Sequence, residues 1–384
     1  MELINYKDKY IKYKIKYFEL KNSYINNQIG GRTKNKNGSS FNKLLAKWKK
    51  IGFPYAKHFI DEKKIFNKIV TYAKSLDKNS KTYVNNQKYV LNREKFPIYE
   101  DIRFNGKYIS ILIPIEYFNT IDIIIDYYTE EARIKAQKNN LSPSLYDHFY
   151  KFDLLEKALK LLLNKNIKVN YENLRESFYE FKEIYQTSAE STLFYITTWK
   201  ILFSSKSFDD LKNLKILDGA AGYGTRLLTS IIYNSYYTSL DPNSLLTDGF
   251  NKLINTFGNS DKQIVYLDGL PDSKPINKIS DNSQDLVWFS PPMFDGEIYS
   301  DDKKQSINLF NDFDTWKNKF LHTSLQILWN KLKPDGYIVF QSIRYNLIRE
   351  YIQKFDDAKF MGVISRKTYG GRFKPNWIWK KINK

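Results

Sequence analysis

A Ser-Pro-Pro sequence, Ser290 to Pro292, stands directly after the apolar run at 286–289. Proline fixes φ and lacks an N–H, so two in succession predict a rigid, non-helical loop beyond a strand end. Such a loop holds the Ser290 hydroxyl and the Pro291 carbonyl in fixed positions. Two acceptors aimed at the two hydrogens of an amino group favour a pyramidal nitrogen and localise its lone pair. The pattern therefore indicates activation of a weakly nucleophilic amine by orientation and electrostatics.

A second candidate site is the glycine-rich stretch DGAAGYGT, which leads into a predicted helix near Thr225. Glycines let the backbone approach a ligand closely and leave the N-terminus of the helix free to face it. By itself this pattern fits a nicotinamide dinucleotide site, an S-adenosylmethionine (AdoMet) site or merely a tight turn. The residues predicted here to bind a cofactor are Asp218, Gly219, Ala220, Gly222 and Gly224.

Two further carboxylates stand at the ends of the next two strand-like runs. Asp241 comes 23 residues after Asp218, where it is expected to accept hydrogen bonds from ribose hydroxyls. Asp268 is expected to accept from an adenine amino group. Each alone is more often a strand-end cap or a solvated carboxylate, but three at successive strand ends indicate one nucleoside site. A dinucleotide dehydrogenase has no use for the Ser-Pro-Pro loop, so the two features together favour AdoMet.

The elements that must position these residues alternate along 206–384. Short strand-like runs such as LKILDGA, QIVYLDG and GYIVFQS are mostly separated by helical patterns. This alternation is typical of an α/β sheet built from βαβ units, with helices on both faces. Residues 41–205 are mainly helical in pattern, and a strand pair is expected around a turn at Asn105-Gly106.

The composition excludes several kinds of chemistry. The chain of 384 residues has no cysteine, which excludes disulfides, thiolate zinc sites and the thiolate that methylation of cytosine carbon 5 requires. Its three histidines are scattered, so no metal site is expected. No apolar run reaches the roughly 18 residues of a membrane span, and the charged N-terminus is unlike a secretory signal. We therefore expect an intracellular protein without a membrane span.

The chain is strongly basic, with a formal net charge of +19. Such a charge suits a polyanionic partner, most often nucleic acid, although an AT-rich coding bias explains it equally well. Residues 1–31 predict a basic, Tyr- and Lys-rich helical arm, followed by a linker at 32–40. One stripe of this helix, suited to self-association or partner contact, comprises Tyr6, Tyr10, Tyr13, Tyr17, Leu20 and Tyr24. The alternative is a weakly ordered basic arm.

These motifs together resemble those of class I AdoMet-dependent methyltransferases that methylate adenine or cytosine amino groups. They are most similar to uncharacterised phage and giant-virus (mimivirus-like) methyltransferases, through DGAAGYGTRL, SLDPN, SPPMFDGEIY and LKPDGY. The resemblance implies a Rossmann-like, seven-stranded, mostly parallel sheet at 206–384 and a mainly helical, substrate-recognising domain at 41–205. It also implies AdoMet as the cofactor and a location in host cytoplasm, a viral factory or the virion.

The resemblance also assigns residues to the substrate. The amine site comprises Ser290, Pro291, Pro292 and Phe294. Met293 replaces the aromatic residue that normally stacks on the base, and Phe294 beside it is the alternative platform. Tyr299 lies in a stretch expected at the pocket mouth, unless that stretch is a solvated loop. Arg372 and Lys374 belong to a basic, aromatic segment that reads either as a nucleic-acid contact or as a structural hairpin.

The predicted activity is AdoMet-dependent methyl transfer to an exocyclic amino nitrogen of adenine or cytosine in nucleic acid, with DNA favoured over RNA. A base in a duplex would have to be flipped out of the stack. Two alternatives stay open. One is methylation of a protein side-chain amide, and the other is a catalytically silent methyltransferase-fold viral partner or scaffold protein. Met293 in the usual aromatic position favours the second alternative.

Overall fold

The structure is a computed structural model, and it describes most of the chain. The described residues are 38–86, 107–111, 121–138, 142–185, 187, 189–294, 296–310, 312–341, 343–367 and 373–383. The predicted arm at 1–31, most of the predicted linker, the Asn105-Gly106 turn and Arg372 therefore lie outside the described residues. Within the described part, no helix is long and apolar enough to cross a membrane.

Helices and strands alternate along the C-terminal half, as the sequence pattern predicts. The helices are α1 (Gly38–Ile51), α2 (Glu62–Asn86), α3 (Ile123–Lys135), α4 (Leu145–Tyr150), α5 (Leu154–Asn164), α6 (Tyr171–Phe178), α7 (Thr192–Leu202), α8 (Thr225–Tyr233), α9 (Thr247–Phe257), α10 (Lys274–Asn277), α11 (Ser306–Leu309), α12 (Phe313–Thr315), α13 (Thr323–Lys331) and α14 (Tyr345–Ile352). The strands are β1 (Lys107–Ile111), β2 (Lys215–Asp218), β3 (Tyr236–Leu240), β4 (Gln263–Tyr266), β5 (Gln284–Phe289), β6 (Leu332–Gln341), β7 (Ala358–Lys367) and β8 (Phe373–Lys381). A π-helical segment, Trp316–His322, joins α12 to α13.

The strands form one sheet in the order β1-β7-β8-β6-β5-β2-β3-β4. β4, β3, β2, β5 and β6 pair in parallel, and β8 runs antiparallel between β6 and β7. The predicted Rossmann-like, mostly parallel sheet of seven strands is confirmed. β5 is buried at every position, as expected for a parallel strand that is covered on both faces.

An eighth strand, β1, extends the sheet at one edge. It pairs in parallel with β7, and Lys107 lies opposite Gly362. The sequence pattern placed this strand in a hairpin of the helical region, whereas the structure assigns it to the main sheet. Parallel pairing with a strand more than two hundred residues later is a long-range contact that local patterning does not reveal.

The helices before the sheet belong to two different cores. Residues of α1, α5 and α6, such as Trp48, Leu159 and Phe178, form a core of their own. Residues of α2, α3 and α7, such as Ile69 and Trp199, pack in the same core as α8 and the sheet. Half of the predicted helical domain therefore covers one face of the sheet and is positioned to shape any site at its edge.

Candidate active site

One cavity of about 960 Å³ opens where β2, β3, β5 and β6 end. Ligand sites in open α/β sheets lie outside the carboxyl ends of the strands. Most of the predicted site residues line this cavity: Gly219, Ala220, Gly222, Asp241, Ser290, Pro291, Pro292, Met293, Phe294 and Tyr299. The structure therefore brings together residues from four segments of the chain.

Some predicted site residues are placed elsewhere. Asp218, Gly224 and Asp268 are not among the lining residues of this cavity, and their part in cofactor binding stays a prediction. Arg372 and the side chain of Lys374 are outside the described residues, so their predicted contact with substrate stays a prediction.

The glycine loop is held close to the sheet. The Gly219 N–H donates to the Trp288 carbonyl at 2.9 Å, and the Ala221 N–H donates to the Leu240 carbonyl at 2.8 Å. A Cβ on Gly219 would lie only 2.6 Å from the Phe289 ring, so glycine is required there by packing. Gly224 precedes α8 with a φ of 94°, a left-handed conformation that favours glycine.

Asp218 lies behind the loop and acts on it through Arg226. The Arg226 side chain donates to both carboxylate oxygens of Asp218, at 2.6 and 3.2 Å, and also to the carbonyl of Ala220. Tyr237 donates to the same carboxylate at 2.6 Å. Burial acts to lower the pKa of the Arg226 guanidinium, but Asp218 outweighs that effect and the pKa lies above its usual range. Asp218 is thus a positioning residue for the loop.

Asp241 is the carboxylate that reaches the cavity. Its two oxygens accept the backbone N–H groups of Gly222 and Asn243, at 2.9 and 3.0 Å. Burial raises the pKa of the Asp241 carboxyl to about 7, although both hydrogen bonds act in the opposite direction. A ligand that donates hydroxyl groups to this carboxylate would stabilise its ionised form.

Asp268 forms an ion pair with Lys304, a lysine that the sequence motifs did not single out. Lys304 Nζ lies 2.6 Å from Asp268 Oδ1, and the Gly269 N–H donates to the same oxygen at 3.0 Å. Burial acts to raise the pKa of the Asp268 carboxyl, but the hydrogen bond from Lys304 prevails and holds it below its usual range. Lys304 itself lines the cavity, whereas Asp268 is not among the lining residues.

The Ser-Pro-Pro loop follows β5 and forms one wall of the cavity. Ser290 is half-buried and Pro291 is buried at the strand end, whereas Met293 is 53% exposed. Phe294 turns back and packs its ring against Phe313 and Trp316, with centroids 6.0 and 6.2 Å away. Both residues line the cavity, but the Phe294 ring is packed against other aromatic rings while Met293 stays largely exposed.

The segment after this loop is fastened to the N-terminal helices. Glu297 accepts hydrogen bonds from the hydroxyls of Tyr185 and Tyr299. The backbone of Ile298 exchanges two hydrogen bonds with Gln137, at 2.8 and 2.9 Å. Burial raises the pKa of Tyr185 above its usual range, and the contact with Glu297 acts in the same direction. The α3–α7 region therefore fixes one rim of the cavity.

Comparisons with known proteins find distant similarity to methyltransferases of known structure. No family model and no curated protein matches the chain. An rRNA methylase from Streptococcus thermophilus is 7% identical with a TM-score of 0.34, over 51% of this chain and all of that one. A tRNA methyltransferase from M. jannaschii is 16% identical with a TM-score of 0.30, over 45% of this chain and 46% of that one. The function of the site must therefore be inferred from its own residues.

An aromatic wall of the cavity went unrecognised in the sequence. Phe313, Trp316 and Phe320 line the cavity beside Phe294. Phe313 and Trp316 are stacked, with centroids 5.9 Å apart and planes inclined by 28°. Their spacing is that of ordinary core residues on a helix, so no local pattern marks them as site residues. The π-helical segment that carries Trp316 and Phe320 is a rare geometry that often occurs at functional sites.

Proposed function

We propose that this protein transfers the methyl group of AdoMet to an exocyclic amino nitrogen of adenine or cytosine in nucleic acid, with DNA favoured over RNA. The observation that carries the proposal is the position of Ser290 and Pro291 on the same cavity as Gly222 and Asp241. An amine-orienting loop and a nucleoside-binding strand end thus share one enclosed space. That combination is what an amino-methyltransferase needs.

The cavity fits AdoMet in size and in chemistry. A space of about 960 Å³ holds a ligand of nucleoside size together with a flat substrate ring. Asp241 would accept the ribose hydroxyls, and the open space at Gly222, where a Cβ would have no neighbour within 4 Å, lets backbone and ligand come close. Asp268 would serve the adenine while one of its oxygens, Oδ1, is paired with Lys304, which is 61% exposed.

The residues of the loop supply orientation rather than covalent chemistry. AdoMet, when bound, supplies an electrophilic methyl group. Ser290 Oγ and the Pro291 carbonyl would accept the two hydrogens of the amine and so point its lone pair along the line of attack. One of these hydrogens leaves as a proton once the nitrogen carries the methyl group. Ser290 is half-buried rather than sealed, which gives that proton a path to water.

Charge supports a polyanionic substrate. The chain carries a net charge of +19, and three of its cations line the cavity. Arg226 is buried beside Asp218, whereas Lys304 and Arg344 are exposed. Phosphates of a strand whose base enters the cavity would meet these side chains at the mouth. The similarity of the motifs to phage and giant-virus proteins, and the viral or host location that it implies, remain predictions.

The proposal is tested by incubating the purified protein with AdoMet that carries tritium in its methyl group. DNA, RNA and protein pools are offered separately, and the acid-insoluble label is counted. We expect label in nucleic acid, with more in DNA than in RNA. Label in the protein pool alone would show a side-chain amide substrate, and tight AdoMet binding without any transfer would show a silent binding protein; either result overturns the proposal.

A further inference from the structure

Phe313 is a large apolar side chain that stays 43% exposed although it lies in a cavity wall. Single exposed apolar residues on a convex surface need no explanation, but an apolar surface inside a concave site is typical of ligand binding. The ring is also well fixed. Asp312 Oδ1 accepts the Thr315 N–H at 2.8 Å, which caps the short helix α12 that Phe313 begins.

The packing of Phe313 leaves one of its faces for a ligand. Trp316 stacks on it with an interplanar angle of 28° and covers one side. Phe294 meets it almost at right angles, with planes inclined by 77°. Phe313 therefore keeps exposed surface on the cavity that neither Trp316 nor Phe294 covers.

This open face belongs to the amine end of the cavity. Phe294, which touches Phe313, stands only four residues after Ser290 in the same loop. Met293, between them, is 53% exposed and has no flat face on which a ring could stack. Phe313, with Trp316 stacked on it, thus adds to the amine loop an aromatic surface that comes from a different segment of the chain.

We propose that the substrate ring stacks on Phe313, so that the substrate is a flat heteroaromatic amine rather than a side-chain amide. The inference deepens the proposed function, on which it rests for the position of the amine. Stacking on a planar side chain stabilises the binding of a planar base, and it accepts any base because every base has a π-face. An amide side chain has no ring to stack, and a pocket for it would have no use for an open phenyl face.

The test measures binding of a fluorescently labelled oligo(dA) and of an abasic oligonucleotide of the same length, by anisotropy. Phe313→Ala is expected to weaken oligo(dA) binding by about tenfold and to leave binding of the abasic strand unchanged. Phe313→Tyr keeps a ring and should restore wild-type binding. Phe152→Ala removes a phenylalanine that is 55% exposed and is not among the cavity residues, so it is the matched control and should change nothing.

A merely structural role of Phe313 would give a different pattern. Equal loss of binding to both strands, or wild-type binding of oligo(dA) by Phe313→Ala, overturns the inference. Failure of the wild-type protein to bind both oligo(dA) and an oligo(dC) of the same length also overturns it. Base-dependent binding through Phe313 without transfer of labelled methyl groups would leave this inference standing and refute the proposed function. Methyl transfer that is insensitive to Phe313→Ala would leave the proposed function standing and refute this inference.

Discussion

Replacing Arg226 with methionine is expected to lower the free energy of unfolding by about 3–5 kcal/mol. The Arg226 and Asp218 side chains are only 6% and 0% exposed, and their closest atoms are 2.6 Å apart. Methionine fills much of the same space but leaves the Asp218 carboxylate buried without its cation. The carbonyl of Ala220 in the glycine loop loses the same donor, so AdoMet affinity should fall as well.

Urea denaturation measures the stability change, and isothermal titration with AdoMet measures the effect on the site. Arg349→Met removes an exposed arginine and is the control, with an expected change within about 0.5 kcal/mol. Adding Asp218→Asn to Arg226→Met removes the stranded charge. The loss of unfolding free energy in the double variant should therefore be smaller, by at least about 1 kcal/mol, than the sum of the losses in the two single variants. Strict additivity would refute the account of Asp218 and Arg226 as one coupled unit.

Three other perturbations test separate parts of the site. Because burial raises the pKa of the Asp241 carboxyl to about 7, the AdoMet-free protein should lose stability as the pH rises through about 7. AdoMet should bind about tenfold more tightly at pH 8 than at pH 6. Asp241→Asn should abolish this pH dependence of AdoMet binding, as measured by titration calorimetry. Glu297→Gln weakens the two charge-assisted hydrogen bonds that Glu297 accepts from tyrosine hydroxyls. Hydrogen exchange of residues 296–299, measured by mass spectrometry, should therefore accelerate about tenfold. Unchanged exchange would contradict the claim that Glu297 fixes this rim of the cavity. Gly219→Ala should cost about 1–3 kcal/mol of stability in urea denaturation, because its Cβ would lie 2.6 Å from Phe289; full stability would show that the loop is not closely packed.

The sequence was sufficient where the signal is local. Short apolar runs predicted the strands from β2 to β8, because a buried parallel strand is almost continuously apolar. The glycine loop and the Ser-Pro-Pro loop were predicted to be site segments because glycine permits close backbone approach and proline fixes φ. Asp241 was predicted from its position at a strand end. The cavity unites these segments because each follows the end of a neighbouring strand.

The rest depends on contacts that are distant in the chain. Lys304 bonds to Asp268, which lies 36 positions earlier in the chain. The pairing of β1 with β7 joins segments that are separated by most of the protein. Phe313 has no local sequence feature that distinguishes it from a core phenylalanine, because only the folded structure shows that it borders the cavity. Likewise, the share of the N-terminal helices that packs on the sheet is set by tertiary packing, which helical periodicity does not specify.

The central claim is that Ser290 helps to orient an amine for methylation. Its most direct test is methyl transfer from tritiated AdoMet to DNA by the wild type and by Ser290→Ala, followed by nucleoside analysis. Ser280→Ala, which changes an exposed-loop serine, is the control. We predict that the wild type and the control place the label on an exocyclic nitrogen, and that Ser290→Ala loses at least about tenfold in rate. Full transfer by Ser290→Ala, or label on carbon, would contradict the account.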